Sequence, residues 1–319
     1  LTRGTRGKEH PQPAFKVAHL AAGGILLELN SDGVFMKIKA IKSGLYKTVG
    51  MPQFGQQDVG ISPGGAMDRF AFATGNALLQ NEDNAPALEI LLAPTLQFEE
   101  DGYFVLTGAM HNGVTLSETP EGGSPTPVPH ATVCFASAGS VLSFGQKAYG
   151  FRAYLCFRPL DTTSKAESPE GRTRGAFDEV CRWVDPDRKI RVVEGPEYSS
   201  LNDPHSFLLN AWKTTPDMSD MGMRLENAFE LPTCTITNMV SEAVSDGTIQ
   251  LTPKGPIILL RHRQTVGGYP RIFNVISADL DILAQYAPGQ LMWFKKVTIE
   301  EALAVARVKN EDLERIKRT

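Results

Sequence analysis

The chain has 319 residues, of which 42% are apolar and 21% charged, which allows two domains or one large one and excludes wholesale disorder. Its net charge of -4 argues against a nucleic-acid binder, whose surface would be basic. No apolar run reaches the ~18 residues of a membrane-spanning helix, and the histidines and cysteines show no H-x-x-x-H, H-x-H or C-x-x-C pairing that would hold a metal.

Residues 1–35 differ from the rest of the chain. LTRGTRGKEHPQP is polar and basic, and FKVAHLAAGGILLEL is apolar but interrupted by Lys16, His19 and Glu28, unlike the clean apolar centre of a secretory signal. We read 1–35 as a non-native or flexible extension. From Met36, MKIKAIKSGLYKTVG reads as a natural amino terminus entering an edge strand. ALEILLAPTLQF, GYFVLTGA, GVTLSE, ATVCFASAGSVLSFG and FRAYLCFRPL then come at short spacing, parted by Gly, Pro and Asn. That is the signature of an antiparallel barrel or sandwich over 36–160. Cys134 and Cys156 fall inside these runs and read as buried reduced thiols of a cytoplasmic protein. One helix interrupts them: in GAMDRFAFATGNALLQN, Met67, Phe70, Ala71, Ala77 and Leu78 recur at helical spacing.

Residues 161–188 are charged and rich in Ser, Thr, Pro and Gly, as a linker would be, with AFDEVCRWV predicting one short helix. KIRVVEG, CTITNMV, GTIQLT, PIILLRHR, RIFNVISA and QLMWFKKV then predict a second all-β unit over 189–297. ISPGGAMDR (61–69) and TPDMSDMGMR (215–224) share a faint pattern of Ser/Thr-Pro, Met and Arg, which suits a duplicated barrel. A helix closes the chain over 298–319. Thr298 and Glu301 fit a capping box, Ala302, Leu303 and Val305 predict the buried stripe, and Lys317 and Arg318 suit the carboxyl end.

Four polar constellations stand out. In DVGISPGGAMDRFA (58–71), Ser62 and the Gly64-Gly65 pair form a turn of exposed backbone leading into a helix start, where free N–H groups favour anions. Asp68 and Arg69 follow at once; a plain turn with a capping acid explains the stretch as well. SDMGMRLE (219–226) carries Ser219, Asp220 and Arg224, and also reads as a strand with one solvated face. SEAVSDGTIQLTP (241–253) clusters Ser241, Glu242, Ser245 and Gln250 around turns. RQTVGGYPRI (263–272) sets Arg263, Gln264, Thr265, Gly267, Gly268 and Tyr269 between two strand-like runs.

GISPGGAMDRFAFATGNALL, ALEI, LTGA, SDMGMRLE, IQLTPKGPIILLRHRQTVGGYPRI and VISADL together resemble, in order, the motifs of the biotin-dependent carboxyltransferase family. That family includes the C subunit of 5-oxoprolinase, allophanate hydrolase subunit 2 or KipA-like proteins, and a carboxyltransferase subdomain of urea carboxylase. Three departures stand out. The Q-D-x-G-R element expected after Thr48-Val49 is replaced by GMPQFGQ, Asp220 stands where S-D-R-M-G would place its arginine, and a central Gly/Arg/Ser/Thr loop gives way to the charged segment 160–176.

The resemblance implies a mainly β chain of two cyclophilin-like barrels with a few short helices and a C-terminal helix. It implies chemistry at a poorly electrophilic carbonyl, the lactam of 5-oxoproline or urea facing carboxybiotin, within an ATP-dependent 5-oxoprolinase or a biotin-dependent carboxyltransferase. The chain has no Walker-type motif and no Met-Lys biotin-attachment motif, so ATP or carboxybiotin would be supplied in the assembled complex. The partners implied are the KipI-like B subunit of 5-oxoprolinase, with its A subunit or a biotin carrier. The alternative is a KipA-like regulatory protein that binds a kinase-inhibitor partner without turnover.

For such chemistry Arg263 would clamp a carboxylate, Gln264 would match an amide, and Gly267 and Gly268 would admit close backbone approach. Tyr269 would donate its hydroxyl, and Asp68 and Glu242 would accept or orient a proton. Ser62, Gly64, Gly65, Arg69, Ser219, Gln250 and Thr265 would complete the substrate site. On this reading Arg263, Gln264 and Tyr269 line one cleft with Asp68 and the 62–65 turn.

Overall fold

The computed structural model describes residues 37–119, 124–160, 183, 188–228, 231–236 and 239–318. The first unit holds ten strands: β1 (Ile38–Lys42), β2 (Leu45–Val49), β3 (Ala87–Leu92), β4 (Thr95–Phe98), β5 (Gly102–His111), β6 (Thr115–Ser117), β7 (Thr126–Pro127), β8 (Cys134–Ala136), β9 (Val141–Ser143) and β10 (Lys147–Pro159). They form two five-stranded sheets, in the orders β1-β4-β9-β6-β7 and β2-β3-β10-β5-β8.

The alternation of strand side chains gives the second of these sheets two apolar faces. Leu88, Ile90, Phe104, Leu106 and Leu155 pack with Ile38, Leu96, Phe98 and Leu142 of the first sheet. Ala87, Val105, Tyr154 and Cys156 face the other way, onto helix α1 (Arg69–Leu78). The same period of two puts the buried Glu89 on the helix side, next to Tyr154. Asp68 caps α1, accepting from the Ala71 amide at 2.8 Å.

The second unit adds β11 (Ile190–Glu194), β12 (Trp212–Met218), β13 (Gly222–Glu226), β14 (Glu242–Ala243), β15 (Thr248–Thr252), β16 (Gly255–Leu259), β17 (Val266–Gly267), β18 (Arg271–Val275), β19 (Leu291–Met292) and β20 (Phe294–Lys296). Eight of them make one nearly closed barrel sheet in the order β19-β12-β13-β16-β15-β18-β11-β20. Only Trp293 separates β19 from β20, yet they stand at opposite ends of that order, so the chain itself draws the barrel shut. β14 and β17 form a separate two-stranded ribbon. Phe207 on α2 (Pro204–Leu209) fills one mouth against Trp212, Phe273 and Phe294. After α3 (Leu280–Leu283), α4 (Ile299–Arg318) returns to the first unit, where Ile316 and Leu313 join the cluster around Phe70.

The capping box forms: the Thr298 amide donates to Glu301 Oε2 at 2.8 Å and the Glu301 amide to Thr298 Oγ1 at 3.2 Å. The stripe is phased differently from the expectation. Leu303 is 54% exposed, and the face turned inward carries Ala302, Val305, Lys309, Asp312 and Ile316. The described residues of CTITNMV form no strand, and among them only Cys234 bridges, to Leu201. The faint echo has no structural counterpart, since 61–69 is a loop running into a helix and 215–224 is the β12–β13 hairpin.

Residues 1–35, the short helix over AFDEVCRWV and most of 161–188 lie outside the described residues. Trp183, however, is buried and donates from Nε1 to Asp312 at 2.9 Å. No described helix is long and apolar enough to cross a membrane.

Candidate functional site

The two units meet where the 50–68 loop lies against the end of β16. The loop is folded on itself by Ala66 N donating to Gly50 O at 3.1 Å and Gln53 N to Pro63 O at 2.9 Å. Gly64 and Gly65 turn it with φ of 60° and 82°, left-handed values that favour glycine. A Cβ on Gly65 would also come within 2.8 Å of the Pro52 nitrogen. From the second unit, His262 Nε2 lies 3.0 Å from Gly65 O and Arg261 Nε donates to Met67 O at 2.9 Å. The His262 amide in turn donates to Asp220 O at 3.0 Å, which fixes the β12–β13 hairpin to the same place.

Along this junction runs a cleft of about 410 Å³. The first unit contributes Tyr46, Lys47, Phe151 and Arg152, and the second Met218, Ser219 and Asp220. Its polar floor is a square of two cations and two carboxylates. Lys47 Nζ lies 2.5 Å from Asp220 Oδ2 and 3.4 Å from Glu89 Oε1. Arg152 Nη2 lies 3.1 Å from Asp220 Oδ1, and its Nε 3.5 Å from Glu89 Oε1. Burial acts to raise the Asp220 pKa, but Lys47 and Arg152 outweigh it and hold the carboxyl below its ordinary value.

A polar network ties this floor to the loop. Glu89 Oε2 accepts from the Tyr154 hydroxyl at 2.7 Å and the Met67 amide at 2.9 Å. The Tyr154 oxygen accepts from the Asp68 amide at 2.7 Å. Gln285 donates to Asp68 Oδ2 at 2.7 Å, while its Oε1 accepts from the Phe151 and Arg152 amides at 2.9 and 3.1 Å.

Behind the turn sits a second ionic cluster. Asp246 is shared by Arg263 at 3.2 Å, Arg261 at 3.6 Å and Arg69 at 3.9 Å. Arg69 also donates to Gly64 O at 2.9 Å. Its pKa is brought down to about 10 by burial and by Arg261. Arg261 continues to Asp281 at 2.6 Å, and Asp281 to Lys309 of α4 at 2.6 Å.

The structure therefore distributes the sequence-predicted residues other than Asp68 over three places. Gly64, Gly65, Arg69 and Arg263 come together around Asp246, with Ser62 half-buried on the same turn. Arg263 is 8% exposed there, packed behind the turn as an ion-pair partner. Ser219 is at the cleft, where its Oγ accepts from the Met221 amide at 3.2 Å.

The remaining residues belong to the β14–β17 ribbon and its surroundings. Gln250 is buried beneath it and donates to Tyr269 O at 3.2 Å. A Cβ on Gly267 would stand 2.6 Å from Gln250 Nε2, and one on Gly268 3.3 Å from Ser241 Oγ, so this glycine pair serves close packing. Thr265 accepts from the Val244 amide at 3.0 Å through its carbonyl. Glu242 pairs with Arg271 at 2.5 Å, and Arg271 grips Glu197 through two nitrogens. Gln264 and the Tyr269 ring are exposed.

Asp68 lies apart from all three. At 1% exposure it is enclosed between α1 and Gln285 and does not face the cleft. Burial, then the like charge of Asp281, push its pKa up to about 7, but no substrate reaches it in this arrangement. The expected single cleft of Arg263, Gln264, Tyr269, Asp68 and the 62–65 turn is not what lines the junction.

Sequence reasoning passed over Lys47, Glu89, Arg152, Asp246 and Arg261. Two of them carried a signal: Glu89 within ALEILL and Arg152 within FRAYLCFR are charges in the middle of apolar strand runs, positions that persist only when paired. Among the described residues no group of His, Cys, Asp and Glu is placed to hold a metal ion.

Comparison with known proteins follows the same outline. A family profile described as a carboxyltransferase domain, subdomain A and B, matches residues 59–168 and 159–296. The C subunit of 5-oxoprolinase from Haemophilus influenzae is 32% identical over 301 residues, covering 83% of this chain and 93% of the relative. The same subunit from Escherichia coli is 31% identical over 300 residues, with the same coverage. Among solved structures, the K. lactis urea amidolyase superposes with a TM-score of 0.72 at 20% identity, covering 88% of this chain and 20% of that one. The Kluyveromyces lactis urea carboxylase gives 0.71 at 20% identity over the same 88%, and 29% of its own length. The chain thus spans less than a third of either solved protein, and at that identity the likeness is one of fold.

Proposed function

Because the chain belongs to the family of carboxyltransferase domains with subdomains A and B, we propose that its junction cleft binds a small planar amide, 5-oxoproline or a urea-like compound. On this reading it works in the cytoplasm as one subunit of an ATP-dependent 5-oxoprolinase or a biotin-dependent carboxyltransferase. The observation that carries the proposal is the Lys47–Asp220 pair on the cleft floor, 2.5 Å apart and both partly open to solvent. An ammonium beside a carboxylate matches the two ends of an amide: Lys47 donates to the carbonyl oxygen and Asp220 accepts from the N–H.

The division of labour follows from the charges. As negative charge develops on the amide oxygen, a fixed cation at the cleft stabilises it without reorganisation. Asp220, held below its ordinary pKa, is a weak base and orients the substrate. Arg152, 2% exposed, fixes Asp220 from beneath. ATP or carboxybiotin, carried by a KipI-like B subunit with the A subunit or a biotin carrier, supplies the activated group, and Lys47 is the cleft cation open to it. Arg69, Arg263 and the glycine turn set the wall in place.

The test is turnover of 5-oxoproline with ATP, and of urea with bicarbonate, ATP and a biotin carrier, by the chain assembled with its partner subunits. Lys47→Met should lower kcat/KM by about 100-fold, the scale of one lost oxyanion donor. Undiminished turnover in that variant would remove the cleft from the chemistry. A stable complex with no turnover on either substrate would favour the regulatory alternative.

A further inference from the structure

We infer that the cleft selects uncharged amides over amides bearing a carboxylate, and that Asp220 is the residue that selects. The inference rests on the junction cleft being the amide site. Its basis is a charge balance. Both cations at the floor, Lys47 and Arg152, already face two carboxylates each, Asp220 and Glu89, at 2.5 to 3.5 Å. At the floor two positive and two negative charges balance, and the next cation, Lys147, is turned away onto the Leu91 and Phe151 carbonyls at 2.6 and 2.7 Å.

Glu89 is fully buried and lies beneath the cleft, but Asp220 lies at the surface where a ligand would arrive. Its two oxygens occupy Lys47 Nζ and Arg152 Nη2 separately, much as a ligand carboxylate would occupy them. An incoming carboxylate would lose that donor pair and meet a like charge beside it, whereas a neutral amide uses Asp220 as an acceptor.

Asp220 cannot readily step aside by a backbone movement. Its carbonyl accepts from His262 N at 3.0 Å, Met221 O accepts from Leu260 N at 2.9 Å, and Ser219 N donates to Gly222 O at 2.9 Å. The hairpin tip is thus tied at Asp220 and Met221 to the stretch that follows β16, and is closed on itself by Ser219 and Gly222. The rest of the lining supports the same class: Leu45, Leu91, Phe151, Met218 and Pro288 offer an apolar wall suited to a compact ligand without a second charge.

Two ligands that differ only in the group at issue make the test. 2-Pyrrolidinone is the lactam ring of 5-oxoproline without its carboxylate. Binding of each to the full chain, assembled with its partner subunit, is measured by ligand-observed NMR titration at low ionic strength. The wild type should bind 2-pyrrolidinone about tenfold more tightly than 5-oxoproline, and Asp220→Asn, which keeps the shape but leaves the two cations with Glu89 as their one carboxylate, should reverse the order. Both factors are on the scale of one charge-assisted hydrogen bond.

A wild type that binds 5-oxoproline as tightly as, or more tightly than, 2-pyrrolidinone overturns the selectivity while leaving the cleft as the amide site. So does an Asp220→Asn variant, folded by its melting curve, whose preference stays that of the wild type. Binding of both ligands that survives Lys47→Met unchanged overturns the assignment of the cleft, and the selectivity with it.

Discussion

Replacing Lys309 with methionine removes one charge from beneath the junction while keeping the length of the side chain. In the native structure Lys309 Nζ donates to Asp281 Oδ2 at 2.6 Å and to Ala278 O at 2.7 Å, and stands 5.2 Å from the ring centroids of both Phe70 and Trp183. Breaking a buried ion pair by deleting one partner costs about 3–5 kcal/mol. Here Asp281 Oδ1 keeps Arg261 at 2.6 Å and the Arg69 amide at 2.9 Å, so only Oδ2 is orphaned and the lower part of that range applies. Methionine refills the volume between the rings but loses the cation–π attraction, about 0.5–1 kcal/mol for each ring.

Together these give a loss of about 4–5 kcal/mol, and at ~2–4 °C per kcal/mol for a chain of this size the melting temperature should fall by about 8–20 °C. Thermal and urea unfolding of the full chain would read it. A double-mutant cycle with Asp281→Asn should return a coupling of about 0.5–3 kcal/mol. A Lys309→Met protein within about 0.5 kcal/mol of wild type, the range of an ordinary surface change, would show that α4 is not locked to the junction through this charge.

Two further outcomes follow from burial and titration. Leu303→Asp, on the exposed face of α4, should leave the melting temperature essentially unchanged, whereas Ile316→Asp, on the buried face, should destabilise by about 3 kcal/mol or more through an unpaired buried charge; equal effects in a thermal melt would refute the phasing. Asp68 has its folded pKa raised to about 7 by burial and Asp281, against about 4 for an unfolded carboxyl. Between those values the folded state keeps a proton that the unfolded state has lost, so this group's contribution to stability falls as pH rises from about 4 to 7 and is fully lost above that. Asp281 has the opposite sign, because Lys309 and Arg261 overcome its burial and depress its pKa; its contribution is present above pH ~4 and lost on acidification. The melting temperature at pH 8 minus that at pH 5 should therefore be more positive in Asp68→Asn than in the wild type, since the variant lacks the loss due to Asp68 while the opposite contribution of the half-buried His111 and His130, whose pKa values burial lowers to about 4, is kept; an unaltered change would contradict the assignment.

Much of the fold was legible because most strands carry their own period. ALEILL, GYFVLTGA and PIILL alternate or run apolar between turn residues, and the capping box of α4 is local to four residues. The failures have definite causes. β12, WKTTPDM, has one large buried apolar residue, Trp212, and buries Thr214 and Thr215 through hydrogen bonding and packing that hydropathy does not register. CTITNMV has the composition of a strand, but among its described residues only Cys234 makes a ladder contact. The inward face of α4 centres on Lys309 and Asp312, so a search for an apolar stripe settles one residue away, on Leu303.

The site was harder to read because its logic is charge pairing across the join. Lys47 and Asp220 are 173 positions apart, and Asp68 and Gln285 217. A glycine-rich polar corner such as RQTVGGYP looks like a site because its composition is unusual, yet the structure uses the Gly267 gap to seat Gln250 and Arg271 to clamp the ribbon through Glu197 and Glu242. The more telling sequence feature is a lone charge inside an apolar strand. Glu89 and Arg152 interrupt runs that would otherwise be core, and a buried charge must find a counter-charge somewhere. Because neighbours on one strand point alternately to opposite faces, that partner has to come from another strand or another unit. Here Arg152 finds Glu89 within the first unit and Asp220 in the second, and the place where they meet is the cleft.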